Sequence, residues 1–339
     1  MIQNFLKRLK IICSLFASRI MVSACCATLT GSFLFSSTSM AIAETYPSRP
    51  IKLIVPYAPG GNTDIIARIF SQKLSERVGQ PVVIDNRGGA SGTIGVGIAA
   101  KSINDGYTIV IGDVGSLVVA NHAIPSRPYD TIKDLAPIGL ISTVSILVSV
   151  NPKSTFSNFE ELLKSARANP GKISFGTAGI GSPSHMAMEL LQSMTNVTFM
   201  HVPFKGGTQG VTALIGEQID FLVDGTAFGQ TKAGRLKPIA VTGPRLPALP
   251  NTPGIGENVK GYEFTNWFGF LAPVGTPADV ITRLNDEFKQ IAALPEIRDR
   301  LSGLGFAARQ STPQEFADHI KSETEKISQI VKSANIKFD

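Results

Sequence analysis

Residues 55–64 read Val55-Pro56-Tyr57-Ala58-Pro59-Gly60-Gly61-Asn62-Thr63-Asp64 and separate two different hydrophobic patterns. The preceding run Ile51–Val55 is short and apolar, which predicts a buried strand. Behind the stretch, apolar residues recur at helical spacing as far as Leu74, and Gly79 is placed to end the helix. Such a junction at the carboxyl end of a parallel strand presents free backbone N–H groups and the positive end of a helix dipole. The arrangement suits a bound anion.

Three later loops repeat this arrangement. Each follows a short apolar strand and leads into a helix, and they span Asn86–Thr93, Gly176–Gly181 and Pro203–Thr208. Because each half of the chain supplies two of the four loops, the pattern predicts an α/β protein with two doubly wound α/β domains and an interdomain cleft. We expect domain 1 at residues 44–145 and 268–339, domain 2 at residues 146–267, and the ligand between them.

The last part of the sequence contains two helix-start signals. Thr276-Pro277 and Thr312-Pro313 each place a capping residue before a proline, and Glu315 completes a capping box with Thr312. These signals predict that two helices finish the chain.

Residues 1–43 have the features of a signal peptide. They contain four cations and no acidic residue, continue with small and apolar residues, and end in Ala41-Ile42-Ala43. This predicts export to the periplasm with cleavage after Ala43. Two alternatives stay open here: translation from Met21, and a lipid anchor at Cys25 in a lipobox-like sequence.

Composition excludes several classes of function. Cys13, Cys25 and Cys26 are the three cysteines of the chain and all lie in the predicted leader, so the mature protein has no disulfide and no thiolate chemistry. Loss of the four leader cations lowers the formal net charge from +6 to near neutrality, which gives no reason to expect a nucleic-acid partner. The four histidines are not at metal-ligand spacing, so we expect neither a metal nor a cofactor.

The candidate ligand-binding residues lie in the four loops and just beyond the later strands. They are Tyr57, Ala58, Gly60, Gly61, Asn62, Ser91, Gly92, Thr93, Thr177, Ser182, His185, Lys205, Gly206 and Asp224. Arg87 and Lys205 are the only cations in these loops. A site built mainly from neutral donors suits one or two carboxylates better than a polyphosphate, for which several arginines or lysines would be expected.

Several of these residues have a structural alternative. Thr177 and Ser182 fit a side-chain turn and a helix cap, Asp224 fits a helix cap, and Lys205 fits a hinge contact. Asp64 is expected to be structural because its charge suits the helix N-terminus. Asn86 and Arg87 are expected to be loop scaffolding, with Arg87 bracing a carboxylate.

His185 stands beside Ser182 and Ser184, which raises the alternative of a serine hydrolase. That reading needs an orienting acid, an oxyanion hole and a nucleophile on a strained elbow, and no G-x-S-x-G motif is present. We expect His185 to hydrogen-bond a loop carbonyl in the first turn of its helix.

A Rossmann-type nucleotide-binding oxidoreductase is the alternative from another class. The sequence Gly95-x-Gly97-x-x-Ala100 is similar to a dinucleotide fingerprint, but it lies within a predicted helix and not on the turn after a strand. No P-loop sequence occurs, and the export signal also argues against a nicotinamide cofactor.

At this point the collinear motifs resemble the Bug family of periplasmic solute receptors, the extracytoplasmic components of tripartite tricarboxylate transporters. The resemblance spans the mature chain, in order, through Pro56–Arg68, Gly79–Gly95, Asp105–Thr108, Gly179–Glu189, Val202–Gly206 and Trp267–Pro277. It implies a type II periplasmic-binding fold that closes on a small carboxylate, does no chemistry and delivers the ligand to a membrane permease. The ligand class spans di- and tricarboxylates, amino acids and aromatic acids, and we expect a monomer.

The chain departs from the family pattern at two places. Asn62 stands where small residues are common, and Asp224–Gly229 is unusually rich in glycine. The resemblance implies that the first loop and the loops facing it hold the ligand carboxylate, often through ordered water.

Overall fold

The computed structural model describes residues 46–333 and Ile336. The predicted signal peptide, its cleavage after Ala43 and the alternatives at Met21 and Cys25 lie outside these residues. Within the described part of the chain, no helix is both long enough and apolar enough to span a membrane.

Strands and helices alternate from Ile51 onward, as the sequence predicts. The first elements are β1 (Ile51–Val55), α1 (Asn62–Val78), β2 (Val82–Asn86), α2 (Thr93–Ala100), β3 (Thr108–Asp113), α3 (Ala120–Ala123) and β4 (Leu135–Ser145). A 3₁₀ turn at Ala90–Gly92 leads into α2, and a π-helical turn at Gly115–Val119 leads into α3.

The middle of the chain continues the alternation. Its elements are β5 (Leu147–Val150), α4 (Phe159–Ala168), β6 (Ser174–Thr177), α5 (Pro183–Thr195), β7 (Met200–Pro203), α6 (Gly207–Ile215), β8 (Phe221–Val223), α7 (Ala227–Lys232), β9 (Lys237–Val241) and α8 (Ile255–Asn258).

The remaining elements are β10 (Thr265–Pro273), α9 (Ala278–Ala293), α10 (Pro295–Gly303), β11 (Ala307–Ala308) and α11 (Pro313–Ser333). The Thr312–Glu315 capping box is confirmed, because each residue's side chain bonds the other's backbone N–H. The prediction of two final helices is wrong, since three follow β10. The missed helix α10 has Leu294 at its N-cap, which offers no capping side chain, so its start is marked only by Pro295 at the first position and Glu296 in the first turn.

The strands form two mixed sheets. The first sheet has the order β11-β4-β10-β3-β1-β2, with β1 parallel to β2 and β3 and with β10 antiparallel to β3 and β4. The second has the order β7-β6-β8-β5-β9, with β6 parallel to β7 and β8 and with β5 antiparallel to β8 and β9. The carboxyl ends of parallel neighbours lie at the same edge of each sheet, so the loops that follow them are brought together.

Strand β1 is buried on both faces except at the exposed Lys52, which explains why its other four residues are apolar. Leu53 and Val55 belong to one hydrophobic cluster with Phe70 of α1, and Ile54 belongs to another with Val96 of α2. Helix α1 ends at Gly79 in the left-handed conformation, as predicted, with the Gly79 N–H bonded to Ser75 O. The strand and its two flanking helices thus fix the loop that begins at Pro56.

The chain crosses between the sheets at two places. Only Ile146 separates β4 from β5, and residues 242–264 connect β9 to β10. Hydrogen bonds join the crossings, from Ile146 N to Thr242 Oγ1 (3.0 Å) and from Thr242 N to Ile146 O (2.9 Å). Residues 265–267, which the predicted boundary assigned to domain 2, pair with β4 in the first sheet.

Candidate ligand-binding site

The side chain of Asp64 stabilises the loop after β1 through hydrogen bonds. This buried carboxylate accepts hydrogen bonds from Gly60 N (2.9 Å), Arg68 Nε (2.8 Å) and Asn86 Nδ2 (2.9 Å). Burial raises the pKa of Asp64, but the bonds from Arg68, Gly60 and Asn86 outweigh it and hold that pKa below its ordinary value. Asp64 and Asn86 are therefore structural, as predicted, and the Gly60 N–H is already engaged.

Tyr57 connects this loop to the end of β3. Its hydroxyl donates to Asp113 Oδ1 (2.7 Å), which also accepts from Ser116 N (2.9 Å) and Ser116 Oγ (2.8 Å). Burial is the main cause that raises the pKa of both Tyr57 and Asp113. Sequence reasoning missed Asp113 and Ser116.

The second loop packs against the first. A methyl group at Gly92 would lie 2.9 Å from Ser116 Cβ and 3.2 Å from the Tyr57 ring, and one at Gly88 would lie 3.3 Å from Ala58 N. Ser91 is exposed and left-handed, with φ 52° and ψ 33°, a conformation that non-glycine residues adopt at a cost. Thr93 is buried, and its hydroxyl donates to Ala90 O (2.8 Å). Arg87 donates to Asp85 Oδ1 (2.8 Å), which confirms the predicted brace.

In the third loop, the predicted polar side chains bond to groups of the turn, of the following helix and of the neighbouring strand. Thr177 is buried, with Oγ1 2.7 Å from His201 Nε2 and accepting from Gly179 N (3.2 Å). Ser182 is the N-cap of α5, where its Oγ accepts from His185 N (3.2 Å). These residues serve the turn itself, so their contact with ligand stays a prediction.

His185 has partners for both ring nitrogens. Nδ1 accepts from Gly181 N (3.2 Å), Nε2 lies 3.4 Å from Glu189 Oε1, and the ring stacks on His201 with centroids 4.3 Å apart. The expected partner, a loop carbonyl, is thus corrected to a loop N–H. The His185 ring has no hydrogen bond to Ser182 or Ser184 in the described structure, so no catalytic dyad is formed.

The fourth loop contributes a helix start and a buried acid. Gly206 is the N-cap of α6 at φ 140°, and a methyl group at Gly207 would lie 2.2 Å from Asp224 Oδ1. Asp224 follows β8 and accepts from Thr226 N (2.8 Å) and Thr226 Oγ1 (2.7 Å), while burial raises its pKa. Lys205 is exposed and forms no ion pair within the described residues.

Two close approaches bring the loops of the two sheets together. A methyl group at Gly225 would lie 2.9 Å from Asn62 Nδ2, so the start of α1 meets the segment after β8. One at Gly115 would lie 3.7 Å from Pro183 Cδ, so the end of β3 meets the start of α5. These contacts bring the loops that carry Tyr57, Asn62, Gly92, Ser182 and Asp224 together, whereas no such contact joins Ser91 or Lys205 to the group.

Backbone donors without a side-chain cap occur at three of the helix starts, although the Thr93 N–H at the start of α2 is bonded to Ala90 O. Helices α1, α2 and α6 begin after Gly61, Gly92 and Gly206, and none of these N-caps has a side chain to bond the first-turn N–H groups. Helix α5 is the exception because Ser182 caps it. The site therefore offers neutral donors and positive dipole ends, which suit a carboxylate.

Other chemistries find no support in the described residues. No group of three or more histidine, cysteine or acidic side chains there could hold a metal ion. Gly95 and Gly97 lie inside α2, where added methyl groups would meet Arg87 O at 2.7 Å and Pro128 Cγ at 2.4 Å. Close packing of α2 therefore explains these glycines without a dinucleotide.

Comparison with known proteins is consistent with this geometry. A family model described as "Tripartite tricarboxylate transporter family receptor" matches residues 66–336. The chain belongs to this family. Members of the receptor family are periplasmic solute-binding proteins and not enzymes, which confirms the predicted family, fold class and absence of catalysis.

Named relatives of the receptor cover most of its length. Protein BugT of Bordetella pertussis is 32% identical over 303 residues, which are 87% of this chain and 92% of BugT. The Rhodopseudomonas palustris protein Rpa4515, solved with adipate, is 33% identical with a TM-score of 0.81, covering 86% of this chain and 99% of its own. MatC from the same organism, solved with malate, is 27% identical with a TM-score of 0.75, covering 84% and 100%.

Proposed function

We propose that this receptor captures a small organic carboxylate, most specifically a short dicarboxylate, between its two sheets and delivers it to the membrane components of a tripartite transporter. The observation that carries the proposal is the meeting of α1 and α6, both uncapped at their N-termini, through Asn62, Gly225 and Asp224. Two family members of known structure hold dicarboxylates, adipate and malate, which supports this ligand class.

The proposal includes the route to the periplasm and the domain organisation. Residues 1–43 act as a signal peptide that is cleaved after Ala43. The first sheet belongs to one domain and the second to another, and closure about Ile146 and residues 242–264 gives a ligand-bound surface that the permease recognises. The receptor works as a monomer.

A thermal-shift screen against mono-, di- and tricarboxylates, amino acids and aromatic acids tests the function. Endogenous ligand is first removed by unfolding and refolding. A ligand at a hundred times its dissociation constant stabilises the folded state by about 2.7 kcal/mol, which raises the melting temperature measurably. Stabilisation by carboxylates and not by NAD is the expected result. Absence of a shift with every carboxylate would contradict the proposal.

A further inference from the structure

Asp113 has an unusual set of partners for an acid at a carboxylate site. Its side chain, 5% exposed, ends β3 beside Tyr57, and all three of its side-chain donors converge on Oδ1. Oδ2 accepts no hydrogen bond from the described residues. One oxygen is therefore fully occupied while the other is left for a group outside this cluster.

No cation balances this carboxyl. Asp113 forms no ion pair within residues 46–333, and the titratable groups around it are Tyr57 and Tyr129, both neutral phenols. Across the cleft, Pro183 approaches neighbouring Gly115. On that side Asp224 bonds to Thr226, His185 pairs with Glu189, and His201 stacks on His185 and bonds to Thr177. The cation of that side, Lys205, is exposed and forms no ion pair within the described residues. A buried carboxylate without a cation is strongly disfavoured, and such groups become protonated or acquire a counter-charge from a ligand.

With an anionic ligand, protonation of Asp113 is favoured over pairing with a counter-charge. A dicarboxylate supplies negative charge and hydrogen-bond acceptors, so it disfavours an ionised Asp113 and favours a protonated one that can donate. Burial acts in the same direction, since it raises the pKa of Asp113 in spite of the bonds from Ser116 and Tyr57.

We propose that Asp113 is a specificity-determining residue that meets the ligand as a neutral acid. Oδ2 carries the proton and donates it in a hydrogen bond to a carboxylate oxygen of the ligand, which keeps its own charge. The proton comes from solvent, so capture of a dicarboxylate is coupled to the uptake of up to one proton. This inference rests on the proposed function, and it selects ligands with a carboxylate at this position over ligands with an ammonium group there.

Titration calorimetry with adipate tests the coupling directly. Measurements between pH 6.5 and 9, in pairs of buffers that differ in ionisation enthalpy, give the number of protons taken up by the unmodified protein. Aliphatic carboxyls titrate near pH 4, so adipate itself stays ionised in this range. We expect the number of protons taken up to rise towards one as the pH increases through this range, with an affinity that falls by up to about tenfold per pH unit.

Two variants locate the proton. In Asp113→Asn the three donors on Oδ1 orient the amide so that Nδ2 takes the place of Oδ2 and donates to the ligand. This variant should bind adipate with no proton uptake and with an affinity independent of pH. Asp220→Asn is the matched control, since Asp220 is exposed and accepts from Ser174 N and Ser174 Oγ (both 2.7 Å), and it should behave as wild type.

The possible failures are distinguishable. Adipate binding by the unmodified protein without proton uptake overturns the inference and leaves the proposed function intact. Loss of the uptake in Asp224→Asn but not in Asp113→Asn also overturns it, as does preference for aspartate over adipate without proton uptake. Failure of every carboxylate to bind overturns the proposed function and the inference together.

Discussion

Substitution of Gly61 by valine should remove ligand binding without unfolding the receptor. Gly61 is the N-cap of α1 with φ −77° and ψ 168°, an extended conformation that any L-residue adopts. A methyl group there would meet only Ala58 O, at 3.8 Å. The backbone therefore tolerates a Cβ at this position, which directly precedes the first N–H groups of α1.

Gly61→Val should change the stability of the free protein much less than it changes the affinity for the ligand. Valine is a poorer N-cap than glycine, which lowers the free energy of unfolding by about 1 kcal/mol. Valine also lowers the conformational entropy of the unfolded chain, which raises the free energy of unfolding by about 0.4–1 kcal/mol. The melting temperature of the free protein should thus move by no more than about 2–4 °C. A displaced carboxylate loses charge-assisted hydrogen bonds of about 1.5–3 kcal/mol each, so loss of two weakens binding at least about 100-fold.

Titration calorimetry with adipate and a thermal melt without ligand separate these effects. Gly303→Val is the control, because Gly303 lies in α10, outside the four loops, and a methyl group there would meet nothing within 4 Å. An affinity of Gly61→Val within threefold of wild type would refute the assignment of this loop to the ligand.

Further substitutions test the contact between the halves, the histidine pair and the support of the first sheet. Gly225→Ala places a methyl group 2.9 Å from Asn62 Nδ2, so adipate affinity should fall several-fold in calorimetry while the ligand-free melt stays unchanged; unchanged affinity would refute the contact. Burial, with a smaller effect from His185, lowers the pKa of His201 to about 4, so the unfolded chain binds more protons between pH 6.5 and 4. Stability should fall as the pH drops through that window, and His201→Gln should show a smaller fall in melts from pH 7 to 4.5; equal slopes would contradict this. Asn285→Ala leaves two buried carbonyls without their amide donor, and urea unfolding should show a loss of about 2–4 kcal/mol, whereas a loss under 1 kcal/mol would refute the bracing role.

The sequence predicted an element correctly where that element depends on contacts between residues that are close together in the chain. The run Ile51–Val55 is a strand, Gly79 ends α1, and Ser182-Pro183 starts α5, because each depends on backbone preferences or on a cap within one turn. The same reasoning recognised the role of Asp64, whose partners include Gly60 and Arg68, four residues away on either side.

Strand β4 was not predicted because its sequence contains two residues that disfavour strands. Pro137 and Gly139 interrupt the apolar pattern of Leu135–Ser145. The structure accommodates both through register shifts in the pairing with β10, and a methyl group at Gly139 would lie 2.8 Å from Asn285 Nδ2. Only the tertiary contact with α9 explains the glycine.

Asp113 was not predicted as a site residue because its role also depends on contacts outside its own segment. The apolar run of this strand stops at Ile111, whereas β3 continues through Gly112 to Asp113. Its partners Tyr57 and Ser116 come from another loop and from a π-helical turn that has no sequence signature. The available signal was positional, since the residue that ends a parallel strand lies at the edge where ligands bind.

The position of β10 has a consequence for the order in which the protein folds. This strand lies between β3 and β4 in the first sheet, yet it follows both in the sequence by more than a hundred residues, with the whole second sheet in between. Until β10 has been synthesised, β3 and β4 lack their shared neighbour, and the loop that must close is long. A nascent chain that ends before Thr265 should therefore stay unfolded, a state compatible with passage through a translocation channel.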